Sequence, residues 1–385
     1  MGSLEVRGVT TSYGKTIGIE EVDLSVDDGE FFVILGPSGA GKTTTLKSVA
    51  GLVQTDAGEV EIAGRPMNGV EPYHRNVAMA FESYALYPQK TVFDNLASPL
   101  RSGRTGRYSK ETQRQRVEAV TTTLGIDHLL QRFPRELSNG QRQRVALGRV
   151  LVRPADVYLL DEPLSHLDAK LRAAMRAELK QLGEMSNTTT LYVTHDYQEA
   201  LALGDRIAVL RDGRVVQIGR PAQVWQQPVD SFVAKSLGQP EINLLDAVVD
   251  GGRLRAAGGV VELPVPDGVG LGAGDRARIG IRPRDLELAS GNRPSDGWLR
   301  FPGRVALDER LGRHIEMSID VGDTSVIVVA SSQDAAGEGD NVVVQVPLHH
   351  VHVFAAGEPG EDTPRLAGAA STPLATSHSH SGGKP

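Results

Sequence analysis

The stretch Gly36-Pro37-Ser38-Gly39-Ala40-Gly41-Lys42-Thr43 constrains the fold more than any other part of this sequence. An apolar run, Phe31-Phe32-Val33-Ile34-Leu35, precedes it, and a helical pattern beginning Thr44-Thr45-Leu46-Lys47 comes next. Strand, glycine-rich loop and helix in that order are the context of a P-loop. The glycines admit positive φ angles and let backbone N–H groups close around phosphate oxygens. The positive end of the helix adds its dipole, Lys42 reaches the β- and γ-phosphates, and Thr43 offers a hydroxyl to Mg²⁺. An ordinary glycine-rich turn between strand and helix is the weaker interpretation, because the full spacing stands in the right context.

The remaining chain is read around that loop. Residues 1 to 30 give short β segments, Leu4–Val6 and Val22–Val26, with Tyr13 between them. From spacing alone Tyr13 is either a core filler or a ring that stacks on a base. Gly58–Gly64 and Val77–Phe81 are strand candidates, and residues 92–155 turn helical, with apolar positions at i, i+3, i+4. Val157-Tyr158-Leu159-Leu160 then delivers Asp161 and Glu162 to the carboxyl edge of a parallel sheet. A helix at about 168–184 leads to Thr190–Thr194, a strand ending in His195, and Ile207–Ile218 is a hairpin with an Asp-Gly turn. Beyond 240 the helical period disappears. Short alternating runs across 244–354 predict a small all-β barrel, and from about 356 the Gly/Pro/Ser/Thr/His composition predicts a disordered tail. His378 and His380, in that tail, are too few to make a metal site.

Asp161 and Glu162 turn a phosphate holder into a candidate hydrolase. The first carboxylate can hold Mg²⁺ through water, and the second can polarise an attacking water as a general base. His195, at another strand end, is placed to reach a γ-phosphate, and three strand ends bearing Lys-Thr, Asp-Glu and His would converge on one edge. Composition sets the outer bounds. At 385 residues the chain exceeds one comfortable core. The absence of cysteine excludes disulfides and thiolate metal sites and fits a cytosolic protein. No apolar run approaches the roughly 18 residues of a membrane span, and the N-terminus lacks a signal peptide's apolar region. A net charge of −7 speaks against a broad nucleic-acid surface. The arginines at 101, 104, 107, 114 and 116 have a single aromatic, Tyr108, among them rather than the series that base stacking needs, and suit a solvated helical face.

Leu137-Ser138-Asn139-Gly140-Gln141, with Arg142–Arg149 directly after it, resembles the signature segment and helix of the ATP-binding subunits of ABC transporters. The resemblance covers about residues 1–240. It implies that Ser138, Asn139, Gly140 and Gln141 face the γ-phosphate of ATP held by another subunit. Leu164-Ser165-His166-Leu167-Asp168 resembles the D-loop, which brings Asp168 to the nucleotide across a dimer. Tyr13 takes the place of the ring that stacks on adenine, His195 that of the switch histidine, and Thr44 completes the nucleotide cradle after Thr43. Tyr84–Pro88 and Ile281-Arg282-Pro283, with an additional β domain, resemble importers of the maltose and glycerol-3-phosphate type.

The implied architecture is α/β: a P-loop NTPase domain of ABC type at 1–240 with a helical subdomain at about 92–155. An OB-like (TOBE-type) β-barrel at 241–355 and a disordered tail at 356–385 complete it. The implied cofactors are ATP and Mg²⁺. The implied partners are two integral-membrane permease subunits, a second ATPase subunit and, indirectly, an extracytoplasmic solute-binding protein, at the cytoplasmic face of the membrane and without nucleic acid. Two positions depart from the family pattern. Glu82 replaces the glutamine that contacts Mg²⁺ and the nucleophilic water; it keeps an oxygen ligand but adds charge and lacks the amide donors. Asn139 replaces a glycine, and is expected to tolerate a left-handed backbone there. Together they suggest pairing with a different, more conventional ATPase chain. The competing functions are a soluble ABC protein of translation or DNA repair, disfavoured by a single P-loop without sustained heptads, and a regulatory protein whose β domain binds a ligand.

Overall fold

The computed structural model describes residues 2–81, 86–101, 108–165, 167–186, 188–289, 297–333, 336–358 and 360–368. The chain forms two compact units, Met1–Val224 and Trp225–Pro385.

The first unit begins with β1 (Leu4–Tyr13), β2 (Thr16–Val26), β3 (Phe31–Leu35), α1 (Lys42–Ala50), β4 (Ala57–Ile62), β5 (Arg65–Pro66) and β6 (Val77–Ala80). Three helices come next, α2 (Val92–Arg101), α3 (Lys110–Thr123) and α4 (Asn139–Leu151). It ends with β7 (Val157–Asp161), α5 (Ala169–Ser186), β8 (Thr190–Thr194), α6 (Tyr197–Leu203), β9 (Arg206–Arg211) and β10 (Arg214–Gly219). A four-stranded antiparallel sheet runs β2-β1-β4-β5, and a six-stranded sheet runs β10-β9-β3-β8-β7-β6, parallel except for β10. Strands β3, β7 and β8 are buried at every position, which is why they read as continuous apolar runs rather than alternating ones. Phe32, Ile34, Leu46 and Val49 share a core with Leu4, Val6, Val60 and Ile62, so α1 and both sheets close on one apolar interior. Each such side chain contributes about 1.5–3 kcal/mol on burial.

The first two strands are longer than the sequence suggested, 10 and 11 residues, because register shifts between Val6 and Val9 interrupt the alternation without ending the pairing. In the helical part, a Cβ at Gly148 would lie 2.9 Å from Leu96 Cδ2 and 3.1 Å from Leu124 Cδ1. That glycine lets α4 approach α2. Arg101 pairs with Asp94 and Arg114 with Glu118, as a solvated face would have it, whereas Arg116 lies over the Tyr108 ring; Arg104 and Arg107 fall outside the described residues.

In the chain after β10, α7 (Pro221–Gln226), α8 (Ser231–Ser236), β11 (Asn243–Asp250), β12 (Arg253–Ala256), β13 (Val261–Pro264), β14 (Arg276–Ile281) and β15 (Glu287–Leu288) come first. They lead to β16 (Trp298–Leu311), β17 (His314–Val321), β18 (Thr324–Ser331), β19 (Asn341–Pro347), β20 (His352–Ala355) and β21 (Arg365–Gly368). Two antiparallel sheets, β13-β12-β11-β14-β20-β21 and β15-β19-β16-β17-β18, share a core that includes Leu254, Ile279, Phe301, Met317 and Val353. The division at 224–225 lies upstream of the expected 240. The reason is α8: Ser231 N–H donates to Thr363 O at 2.9 Å, Lys235 pairs with Asp362 at 2.9 Å, and Arg282 donates to Ala234 O and Leu237 O.

The expectation of disorder from 356 is corrected as well. Residues 365–368 form β21 against β20, and Ala367 is buried. A four-residue strand in a Gly- and Pro-rich context is too short to register in composition. Residues 369–385, His378 and His380 among them, lie outside the described part.

His352 in β20 is buried, and burial with the neighbouring Arg282, Arg365 and His350 charges lowers its pKa to about 3. Its folded pKa is below the unfolded value of about 6.5, so its neutral form supports folding above pH 6.5 and that support fades as pH falls towards 3. At pH 5 the penalty is about 2 kcal/mol. Thermal melts between pH 7 and pH 4 should therefore show a decline that His352→Asn flattens; equal slopes for the two chains would exclude this group as the source.

Candidate functional site

The parallel sheet places the chemistry. Strand β8 lies between β3 and β7, and the register pairs Leu35 with Thr194 and Asp161 with Val193. The three chains therefore leave the sheet within about one residue of the same level. The glycine-rich loop begins directly after β3, Glu162 stands directly after β7, and His195 directly after β8.

Within the loop, Gly39 (φ 82°) and Gly41 (φ 100°) occupy the left-handed region, and a Cβ at Gly41 would lie 2.6 Å from Gly18 O. Gly36 N–H donates to Thr194 O at 3.4 Å and Gly213 N–H to Ala40 O at 3.0 Å, so the next strand and the β9–β10 turn brace the loop. Pro37, Ser38 and Gly39 are exposed, and Gly41 caps α1 without a side-chain bond to its first N–H groups. Lys42, 5% exposed, donates to Gly36 O at 2.9 Å and Pro37 O at 3.0 Å and pairs with Glu162 Oε1 at 3.3 Å. Those three acceptors match the three donors of an ammonium. Thr43 Oγ1 donates to Asp161 Oδ1 at 3.0 Å. Thr44 Cγ2 and the Tyr13 ring both come within 3.0 Å of where a Gly18 Cβ would stand, so ring and cradle share one neighbourhood. Tyr13 is 48% exposed, which removes the core-filler interpretation.

Glu162 is held with φ at 43°, a conformation non-glycine residues seldom adopt. Its N–H donates to Val193 O at 3.1 Å, and its carbonyl accepts from Ser165 N and Oγ at 3.2 and 3.0 Å. The strained backbone points the carboxylate across the sheet edge, where Oε2 meets His195 Nδ1 at 2.7 Å while Oε1 meets Lys42. Lys42, Thr43, Asp161, Glu162 and His195 are thus gathered at one edge, with Thr43 bonded to Asp161 and Glu162 bridging Lys42 and His195. A hydroxyl beside a carboxylate gives two hard oxygen donors, enough for an Mg²⁺ that takes its other ligands from phosphate and water. Among the described residues no three acidic or imidazole groups gather into a metal cage of their own. Glu82 lies outside the described residues, as does His166.

The signature segment forms a separate group. Ser138 caps α4, accepting from Gln141 N at 3.3 Å, while Gln141 Oε1 accepts from Ser138 N at 3.0 Å. Asn139 is the first residue of the helix and has no positive φ, and its carboxamide accepts from Arg142. A left-handed backbone is therefore not what accommodates asparagine at this position. A Cβ on Gly140 would lie 2.9 Å from Leu171 Cδ2, which keeps this corner closed against α5. Gln143, one turn on, donates to Pro163 O and ties α4 to the exit of β7. Asp168 caps α5, accepting from Leu171 N at 2.9 Å. Among the described residues, no hydrogen bond joins Ser138–Gln141 or Asp168 to the glycine-rich loop.

Models of two families match the chain: that described as ABC transporter over residues 19–165, and that described as TOBE domain over 279–354. The xylose/arabinose import ATP-binding protein XacK of Haloferax volcanii is 42% identical over 94% of this chain and 95% of its own length. The chain belongs to the ABC transporter ATP-binding proteins. The trehalose/maltose import ATP-binding protein MalK of Thermococcus litoralis is 42% identical over 92% of this chain and 98% of its own. The sn-glycerol-3-phosphate import ATP-binding protein UgpC of Salmonella typhi is 42% identical over 94% and 99%. A solved ATP-binding cassette, dimeric in a post-hydrolysis state with ADP and Pi, superposes with TM-score 0.53 at 30% identity, covering 57% of this chain and 98% of that one. The ABC ATPase fold, the TOBE domain and an ATPase coupled to import are therefore those of this chain, and a soluble translation or repair protein is not.

Sequence reasoning missed the bracing around His195. Asp196 caps α6, accepting from Gln198 N at 2.8 Å, and its other oxygen accepts from Arg172 at 3.3 Å. Arg172 also donates to Leu167 O at 3.1 Å, so one guanidinium joins the segment after β7 to the segment after β8. Beneath it, buried Glu199 accepts from Tyr192 at 2.8 Å and Thr194 at 2.7 Å, and burial raises its pKa. An Asp directly after His195 was a readable N-cap signal; Arg172 carries none. Arg172→Met should lower ATP turnover at saturating MgATP about tenfold while the KM for ATP stays within about twofold. A steady-state comparison showing only a KM change would contradict that role.

Proposed function

We propose that this chain is the ATP-hydrolysing motor subunit of an importer for a carbohydrate, polyol or related solute. Its place is the cytoplasmic face of the membrane, under two integral-membrane permease subunits, with a second ATPase subunit beside it and a solute-binding protein outside. The observation that carries this reading is the set of side-chain bonds on one sheet edge, Thr43–Asp161 and Lys42–Glu162–His195. It occurs in a chain that matches sugar and glycerol-phosphate import ATP-binding proteins nearly end to end.

In this reading Tyr13 stacks on adenine, and the N–H groups of Gly39, Gly41, Lys42, Thr43 and Thr44 receive the phosphates at the positive end of α1. Phosphate oxygens exchange for the carbonyl acceptors of Lys42, whose charge then offsets that developing on the transferred phosphoryl group. Thr43 and Asp161, with Glu82, would hold Mg²⁺, which would supply positive charge to the phosphates. Glu162 takes a proton from the attacking water, and His195 holds Glu162 in place and reaches the γ-phosphate. Ser138, Asn139, Gly140, Gln141 and Asp168 serve the nucleotide of the neighbouring subunit, which fits their separation from this chain's own loop.

Replacing Glu162 by Gln should leave ATP binding within about threefold and reduce hydrolysis at least about a hundredfold, since the general base is worth about 10²–10⁴. Hydrolysis within tenfold of the parent would remove Glu162 as the base. At position 82 the carboxylate places a negative charge where the family has an amide. Glu82→Gln should therefore raise turnover at saturating ATP, and an unchanged or lower rate would sink that assignment. The departures at Glu82 and Asn139 favour a non-identical ATPase partner; nucleotide-dependent self-dimerisation of the purified chain with normal turnover would count against it.

A further inference from the structure

The second unit holds a cavity of about 430 Å³ that the ATPase does not use. Its size lies within the range of small-ligand sites. It opens between the end of β14, the turn before β20, β21 and the segment at Trp225, and it is lined without an aliphatic side chain. Arg282 lies over the Trp225 ring at 3.9 Å and donates to Trp225 O, Ala234 O and Leu237 O, forming a fixed positive wall. Arg365 donates through Nε to His352 Nδ1 at 3.2 Å. That bond leaves the proton of the neutral His352 ring on Nε2, making the ring a donor. Arg365 has no carboxylate partner among the described residues, although burial already lowers its pKa. A half-buried guanidinium without a counterion is costly, and an oxyanion relieves it through the two terminal nitrogens. His350 Nδ1 is buried without a hydrogen-bond partner, 3.6 Å from Asp285, too far for a hydrogen bond. Two guanidiniums and several imidazoles thus face one carboxylate, so the cavity carries surplus positive charge and more donors than acceptors.

We propose that this cavity binds a small hydroxylated metabolite through a phosphate or carboxylate group, with Arg365 as the principal anchor and His350 and His352 as further donors. The site is independent of the nucleotide site in its residues, and it gives the β unit a ligand-sensing role. The volume exceeds that of a bare phosphate ion, and polar side chains beside the Trp225 ring, with no aliphatic group, suit a hydroxylated carbon frame rather than a hydrocarbon tail.

The sequence contains two tryptophans, Trp225 and Trp298. A Trp298→Phe chain therefore reports on the cavity through Trp225 emission alone. The full chain, kept in saturating MgADP so that the P-loop is occupied, would be titrated with glucose 6-phosphate, gluconate, inorganic phosphate and glucose. Isothermal titration calorimetry would run in parallel. The expected result is a saturable response to glucose 6-phosphate or gluconate with Kd below about 1 mM, weaker for inorganic phosphate and absent for glucose. Glucose 6-phosphate alone would mark a phosphate ligand and gluconate alone a carboxylate ligand. Arg365→Gln should weaken binding at least about tenfold, and His350→Ala, at the more exposed turn, about threefold. No saturable response to either anion up to about 10 mM, or a response unchanged in both variants, would overturn the proposal.

Discussion

Everything in the ATPase unit is arranged around a buried ammonium. Lys42 is nearly inaccessible, and a charge in that position is tolerable only if it is surrounded by acceptors. Two come from its own loop and one from Glu162 at the end of another strand. This requirement links two distant pieces of sequence, because the carboxylate must be delivered from β7 to the level of the loop after β3. The parallel register through β8 does so, and the left-handed backbone at Glu162 makes the final aim. His195 then closes the network from β8 itself.

Much of this was legible in the sequence because it depends on local chemistry. The glycine spacing, the apolar run before it and the Asp-Glu pair after another apolar run each report a backbone requirement directly. So does Ser138, whose capping box with Gln141 is written in the order of the residues. The strand ends were also inferable, since fully buried parallel strands have no polar positions to disguise them. Three things were not legible. Arg172 joins two loops through a carbonyl and a carboxylate, and nothing at its position distinguishes it from any helical arginine. The left-handed Glu162 leaves no residue signature, because the strain is held by neighbours' hydrogen bonds. The unit boundary escaped because α8 looks like a continuation of the ATPase in composition, while Ser231, Lys235 and the Arg282 guanidinium tie it to the β unit.

Asn139 shows how a departure from a family pattern can be absorbed. Asparagine was expected to imitate glycine's conformational freedom. Instead it stands in the first turn of α4 and uses its carboxamide to hold Arg142. The glycine that matters sterically is Gly140, against Leu171. The β unit obeys a different logic from the ATPase: an apolar core shared by two sheets, and apart from it a polar cavity lined by guanidinium, imidazole, carboxylate and amide groups with the Trp225 ring. A fold that needed only stability would not gather those groups together, since each costs desolvation.

In the function proposed above, the Thr43 hydroxyl and the Asp161 carboxylate, 3.0 Å apart, would hold the metal that accompanies ATP. Thr43→Val keeps the shape of the side chain and removes only the hydroxyl. The direct measurement is ATP hydrolysis as a function of free Mg²⁺ at fixed ATP, with nucleotide binding in EDTA measured alongside. The account expects the Mg²⁺ concentration for half-maximal turnover to rise at least about tenfold while metal-free binding is unchanged. An unaltered Mg²⁺ dependence in the valine chain would contradict it.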